Sequence, residues 1–132
     1  MRKVKPSLVL VLGDAHLRGI LAERFEREGW LTVQAEDVAD GERRALKARP
    51  NILFAEISED TANVAKLLKH WRSLPTLMKA KIVLYFSQVL RGRVDEALKG
   101  GADHVILAGS LSPKDMVKSL TRLLSEKRIY DK

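Results

Sequence analysis

The sequence contains no cysteine, few aromatic residues and no long apolar segment, and each absence excludes a class of protein. Without cysteine the chain forms neither disulfides nor thiolate metal sites. No apolar run approaches the roughly 20 residues that a membrane-spanning helix needs. The run that follows the basic N-terminus, Leu8 to Leu12, is also too short for the core of a signal peptide. We therefore expect a soluble cytoplasmic protein with no membrane partner.

Basic charge is what the chain has in excess. The sequence has 24 Lys and Arg residues against 17 Asp and Glu residues, which gives a formal net charge of +7. Such a surface favours acidic partners, nucleic acid among them. The basic residues are spread over every predicted helix, however, and only 5% of residues are aromatic, so platforms for stacking single-stranded bases are not expected. A basic accessory domain that binds nucleic acid is therefore the third of three hypotheses.

Short apolar runs alternate with segments of helical period along the chain. The run Ser7 to Leu12 is continuous, as in strands that are buried on both faces of a parallel sheet. Asp14 follows as a helix cap, and the next segment places Leu17, Leu21 and Phe25 on one helical face. The later predicted strands are Trp30 to Ala35, Ile52 to Ile57, Lys81 to Phe86 and Asp103 to Leu107. The later predicted helices cover about Val38 to Arg49, Thr61 to Leu74, Val94 to Leu98 and Ser112 to Leu124.

This alternation predicts an α/β fold of three layers, because strands separated by helices pair in parallel through right-handed crossovers. The length of 132 residues and the lack of a linker predict one domain, 1–132, with its core at about 7–126. In such a sheet, ligands bind beyond the carboxyl ends of the strands. Gly13 stands alone there, so no glycine-rich phosphate loop is present, and no catalytic or metal-ligand spacing occurs. We expect neither an enzyme nor a cofactor or metal site.

Three stretches of the chain, Leu17 to Ala35, Pro50 to Glu56 and Ala97 to Asp103, carry a resemblance to a known family. In their order and separation they resemble the receiver (CheY-like) domains of bacterial response regulators, and the resemblance extends over about Leu8 to Leu124. It implies a single flavodoxin-like (βα)5 doubly wound sandwich with a five-stranded parallel sheet in the order 2-1-3-4-5. It also implies a role in two-component signal transduction or a phosphorelay.

The residues that perform the family's chemistry are all replaced. Receivers accept a phosphoryl group on an aspartate after strand three, with the help of Mg²⁺. The acidic pair that would hold the metal falls on Leu12 and Gly13, and Asp14 is the next residue. The phosphoryl acceptor falls on Glu56. The switch hydroxyl falls on Phe86, with Ser87 next to it, and the lysine falls on Ala108. The resemblance therefore implies a degenerate pseudo-receiver that works by phosphorylation-independent protein interaction or dimerisation. Glu56 either imitates the phosphorylated state or is a partly solvated carboxylate at the end of a strand.

The resemblance also implies where a partner would bind. In receivers the fourth helix, fifth strand and fifth helix form the usual partner and dimer face, which here covers about Arg91 to Gly100, Asp103 to Leu107 and Ser112 to Lys127. The exposed candidates on this predicted partner face are Arg91, Arg93, Lys99, Lys114, Lys118 and Arg122. They suit an acidic protein partner, for which charge affects the association rate more than the final affinity. The alternative is that they only keep the helices soluble.

A second resemblance concerns the pattern Asp14-x-His16-x-x-Gly19 directly after the first strand. It is similar to the motif of cobalamin-binding domains, and implies His16 as the cobalt ligand and Asp14 as the group that orients its ring. The serine that those domains carry after strand three would fall near Glu56 and is missing. Their paired glycines after strand four would fall on Phe86 and Ser87. Cobalamin binding is therefore the alternative to the interaction module, and Asp14 as a cap with a solvated His16 is the simpler interpretation.

Overall fold

The computed structural model describes residues 5–58, 61, 63–87 and 92–125. The strands are β1 (Ser7–Val11), β2 (Leu31–Ala35), β3 (Ile52–Ile57), β4 (Lys81–Phe86) and β5 (His104–Leu107). The helices are α1 (Ala15–Arg27), α2 (Val38–Ala48), α3 (Val64–Ser73), α4 (Arg93–Lys99) and α5 (Pro113–Ser125). All paired strands are parallel and their order is β2-β1-β3-β4-β5, which confirms the predicted flavodoxin-like fold. The observed elements differ from the predicted ones only at their ends, and no helix in the described ranges is long and apolar enough to cross a membrane.

Two apolar clusters cover the two faces of the sheet. Helices α1 and α5 pack on one face, and α2, α3 and α4 pack on the other. In β1, Leu8 and Leu10 belong to the first cluster, whereas Val9 and Val11 belong to the second. Successive side chains of a strand point to opposite faces, so a strand covered by helices on both sides must be apolar throughout. The continuous apolar run at the start of the chain is explained in this way.

Helix α2 lies unusually close to β1 at Gly41. A Cβ atom built on Gly41 would lie 2.5 Å from Cγ2 of Val11, well inside the van der Waals distance. The helix starts at Asp37, whose side chain accepts a hydrogen bond from the Asp40 N–H at 2.9 Å. The cap and the glycine together allow α2 to pack closely against the strand that leads into the candidate site.

A partly buried ion pair joins α3 to the amino ends of the last two strands. Arg72 Nη2 donates to Asp103 Oδ2 at 2.6 Å, and the same oxygen accepts the N–H of Ile82 at 2.7 Å. The Arg72 guanidinium also donates to the carbonyls of Leu77 and Gly101, each at 3.2 Å. This polar network lies at the edge of the sheet opposite the candidate site, so the two have separate structural roles.

Candidate functional site

The turn between β1 and α1 forms the centre of the candidate site at the carboxyl edge of the sheet. Leu12 is 1% exposed and packs in the cluster under α1 and α5, so its side chain belongs to the core. The Leu12 carbonyl accepts a hydrogen bond from Arg18 Nη1 at 2.5 Å. The Gly13 N–H donates to Glu56 Oε1 at 2.9 Å. The carboxylate at the end of β3 is therefore tied directly to the backbone of this turn.

Asp14 acts as the N-cap of α1, as the sequence predicted. Its Oδ1 accepts hydrogen bonds from the backbone N–H groups of His16 at 2.9 Å and Leu17 at 3.1 Å. These are two of the N–H groups that the first helical turn leaves without an internal partner. The Asp14 carboxylate is thus engaged by the helix, although its side chain remains exposed to solvent.

Glu56 has a second neighbour, Tyr85, which the sequence places within the predicted strand Lys81 to Phe86 and not in the site. Tyr85 lies opposite Glu56 in the register of β3 and β4, and it is 6% exposed. Burial raises the pKa of the Tyr85 phenol above its ordinary value of 10.0, and the negative charges of Glu56 and then Asp14 raise it further. Two carboxylates and a buried phenol therefore meet at this edge. The signal that identifies Tyr85 is the strand register, which the sequence alone does not provide.

The remaining predicted site positions, Phe86 and Ala108, have apolar side chains. Phe86 is fully buried in the cluster beneath α2, α3 and α4, on the opposite face of the sheet from Tyr85. Its carbonyl accepts the N–H of Ala108 at 2.9 Å. Ala108 and Ser87 are exposed. Phe86 is therefore a core residue, and Ala108 presents only a methyl group at this edge.

These residues do not fit a resident Mg²⁺ ion. That ion needs several oxygen ligands in near-octahedral geometry. Leu12 and Gly13 have no side-chain oxygen, Oε1 of Glu56 accepts the Gly13 N–H, and Asp14 caps a helix. Within 5–58, 61, 63–87 and 92–125, no group of three or more acidic or histidine side chains is arranged to hold a metal.

The alternative cofactor site finds no support in the geometry. The Asp14 carboxylate is directed at backbone N–H groups, and no hydrogen bond to the His16 ring occurs among the described residues. Gly19 lies in α1 with no heavy atom within 4 Å of a built Cβ, so the helix does not require glycine there. Phe86, which stands where the motif would have a glycine, is fully buried in the core. The motif is accounted for by a cap and a solvated histidine.

The cations of the predicted partner face lie in different environments in the structure. Arg91 lies outside the described residues. Arg93 is half-buried and its guanidinium donates to the Thr61 carbonyl, which leaves it less available to a partner. Lys99 is exposed on α4. The remaining three line a groove of about 550 Å³ between α1 and α5, here called the α1–α5 groove; its charged residues are Arg24, Arg27, Glu28, Lys114, Lys118 and Arg122.

Comparison with solved structures shows which known proteins share this fold. No protein-family model matches the chain, and no curated protein matches it. A response regulator from Thermotoga maritima superimposes with a TM-score of 0.77 at 14% identity, over 93% of this chain and 100% of that one. An orphan response regulator of H. pylori gives 0.79 at 15% identity, over 93% and 99%. A CheY-like receiver domain protein from Methanospirillum hungatei gives 0.79 at 17% identity, over 92% and 94%. The chain therefore has the fold of response-regulator receiver domains.

Proposed function

We propose that this chain is a receiver-like signalling domain that accepts no phosphoryl group and acts by binding another protein. The observation that carries the proposal is the hydrogen bond from the Gly13 N–H to Glu56 Oε1 at 2.9 Å. Glu56, which stands at the acceptor position, is therefore hydrogen-bonded to the turn between β1 and α1, and this turn is where metal ligands would be needed. Its environment resembles a structural contact between two strands more than that of a nucleophile.

The surrounding residues support this interpretation. Attack by a carboxylate on a phosphoryl donor requires groups that neutralise the charge on the phosphoryl oxygens. The Arg18 guanidinium, which lies at this turn, donates to the Leu12 carbonyl and to Gln34 Oε1. Misplacement by about 1 Å can lower a rate roughly 10²-fold. Here Phe86 and Ala108 also replace the hydroxyl and the amine, so several contributions are missing together.

The test is exposure of the full chain to acetyl phosphate and Mg²⁺, followed by intact-mass measurement, with a phosphorylatable receiver domain treated in parallel. We expect the mass of this chain to stay unchanged while that of the control rises by one phosphoryl group. Beryllofluoride with Mg²⁺ provides a second measurement, because it binds receivers without a covalent step. Its addition should leave the amide spectrum of this chain unchanged. A phosphoryl adduct, or amide shifts around Glu56, would overturn the proposal.

The predicted partner face, built on α4, β5 and α5, stays a prediction for this mode of action. A second copy is one partner that can be tested directly, by sedimentation equilibrium over a range of protein concentrations. If this face mediates a homodimer, Lys99→Glu should change the dimer affinity, whereas Lys69→Glu on the exposed side of α3 should not. Equal effects of the two variants would exclude a specific role of the face in self-association.

The hypothesis that Glu56 imitates a phosphorylated aspartate also stays a prediction. Glu56→Gln keeps the size of the side chain and an oxygen that can accept the Gly13 N–H, but removes the charge. If the charge acts as a fixed signal, this variant should change oligomeric state or partner affinity at constant stability. If Glu56 is only a structural carboxylate, both should remain as in the unmodified chain.

A further inference from the structure

The α1–α5 groove has a charge composition unlike an ordinary solvated surface. It is formed by two helices that pack side by side on the same face of the sheet. Five of the eight residues that line it are cations, and one is an anion. The cations are Arg24, Arg27, Lys114, Lys118 and Arg122, and the anion is Glu28. This concentration of positive charge in a concave surface is the feature that needs a partner.

Most of these cations have no counter-ion within the part of the chain that the structure describes. Arg27 pairs with Glu23 at 2.5 Å, one turn earlier on α1. Among the residues that the structure describes, Arg24, Lys114, Lys118 and Arg122 make no ion pair. Like charges held close together repel one another, and an anion in the groove would replace this repulsion with attraction. The groove is therefore complementary to negative charge.

The spacing of the cations indicates the form in which that charge would be presented. Lys114, Lys118 and Arg122 recur every four residues, which places them about 6 Å apart along the axis of α5. A second helix with an acidic residue at every fourth position repeats its carboxylates at the same distance. Between the cations lie Val117 and Thr121, which offer methyl groups to apolar side chains of that helix. An amphipathic acidic helix matches both properties.

We propose that the α1–α5 groove binds an acidic amphipathic helix of a protein partner. A second copy of this chain is disfavoured because each copy has a net charge of +7. A nucleic-acid backbone is disfavoured because Val117 and Thr121 lie between the cations, and a phosphodiester chain has no apolar side chain to pack against their methyl groups. The inference rests on the proposed function as an interaction module and specifies the surface and the chemistry of the partner.

The probe is a fluorescent helix-stabilised peptide with glutamate at every fourth position and leucine on the adjacent stripe. Binding is measured by fluorescence anisotropy against the full chain at low and at physiological salt. Lys118→Glu with Arg122→Glu is the groove variant. Lys47→Glu with Lys69→Glu, on exposed positions of α2 and α3, is the matched control. Each double variant exchanges two positive for two negative charges, so the net charge falls from +7 to +3 in both.

We expect the groove variant to weaken binding roughly tenfold or more, since reversal of two contacts removes at least about 1.4 kcal/mol. The control variant should change affinity by less than about threefold, through screened long-range charge alone. A peptide in which the same glutamates are scrambled around the helix should bind as weakly as the groove variant does. Amide shifts caused by the peptide should be confined to α1 and α5. Circular dichroism of both variants verifies that they are folded.

Several outcomes would overturn the inference. Equal losses in the two double variants would mean that net charge, not the groove, attracts the peptide. Equal binding of the scrambled peptide would exclude a helical match. Tighter binding of an oligonucleotide duplex, lost in the groove variant, would assign the groove to phosphates. Concentration-dependent dimerisation that the groove variant abolishes would assign it to a second copy. None of these results affects the acetyl phosphate test, so a failure here is distinguishable from a failure of the proposed function.

Discussion

Replacing glycine by alanine is expected to have opposite effects on stability at two positions, one in α1 and one in α2. Gly19 in α1 is exposed, and a Cβ built on it meets no heavy atom within 4 Å. Gly41 in α2 is buried, and a Cβ built on it lies 2.5 Å from Cγ2 of Val11. Both positions have negative φ, so alanine is compatible with the backbone at each. The variants Gly19→Ala and Gly41→Ala therefore differ only in what the added methyl group contacts.

The magnitudes follow from propensity and packing. Alanine is favoured over glycine in a helix interior by about 0.8–1.0 kcal/mol, so Gly19→Ala should stabilise the chain by roughly that amount. For a domain of this size such a gain raises the melting temperature by about 3–5 °C. Gly41→Ala has the same gain, but overpacking against Val11, which is 3% exposed, costs about 1–3 kcal/mol. We expect no net stabilisation at Gly41 and a loss of up to roughly 2 kcal/mol.

Thermal and urea unfolding followed by circular dichroism measure both changes, and unchanged m-values confirm that the comparison is valid. A third variant, Val11→Ala, removes the methyl groups that the new Cβ would meet. In that background Gly41→Ala should become stabilising, with a coupling energy of about 1–3 kcal/mol. If Gly41→Ala raises the melting temperature of the unmodified chain as much as Gly19→Ala does, the close packing of α2 on β1 is wrong.

Two further predictions concern polar groups. Arg72→Ala removes the ion-pair partner of the partly buried Asp103 and should lower the free energy of unfolding by about 1–3 kcal/mol. Glu23→Gln breaks an exposed pair and should change the free energy of unfolding by less than about 1 kcal/mol. Equal losses in urea unfolding would contradict the structure. Ultraviolet titration, with the chain's second tyrosine replaced by phenylalanine, should give Tyr85 a pKa above 10.0. Glu56→Gln should lower the Tyr85 pKa, but the pKa should stay above 10.0 because burial is the larger cause of the shift. Since the folded pKa is raised, the stability from Tyr85 is present below its unfolded pKa and is lost as pH rises through the folded value.

The fold could be predicted because its determinants are local. Apolar runs such as Ser7 to Leu12 distinguish strands covered on both faces, and periodic segments between them identify the helices. Caps fixed helix starts well: Asp14 accepts hydrogen bonds from the first turn of α1, and Ser112 accepts one from the Asp115 N–H at 3.2 Å. Where the predicted ends differ, as at α3, the structure begins the helix after Asn63, whose side chain accepts from the Lys66 N–H.

The contacts within the candidate site could not be predicted from the sequence, because they join residues that are far apart along the chain. The Gly13 and Glu56 positions were identified separately, but their hydrogen bond depends on the packing of β1 beside β3. Tyr85 is not among the predicted site residues, because its position opposite Glu56 follows only from the register of β3 and β4. The cations of α5 were predicted to face a partner together with α4. Their position beside α1 depends on the rotation of α5 about its axis, which charge pattern alone does not determine.

Leu12 and Phe86, at the carboxyl edge of the sheet, have a structural role that bears on the proposed function. Leu12 is 1% exposed and Phe86 is fully buried, one in each of the two apolar clusters. Removing a buried phenylalanine side chain costs about 3–5 kcal/mol, comparable with much of a domain's stability of roughly 5–15 kcal/mol. A hydroxyl at Phe86 or a carboxylate at Leu12 would therefore destabilise the core before any metal or phosphoryl group could be bound. Because Leu12 and Phe86 make this edge of the sheet part of the core, the proposed interaction is expected on the helices, where the α1–α5 groove is complementary to an acidic partner.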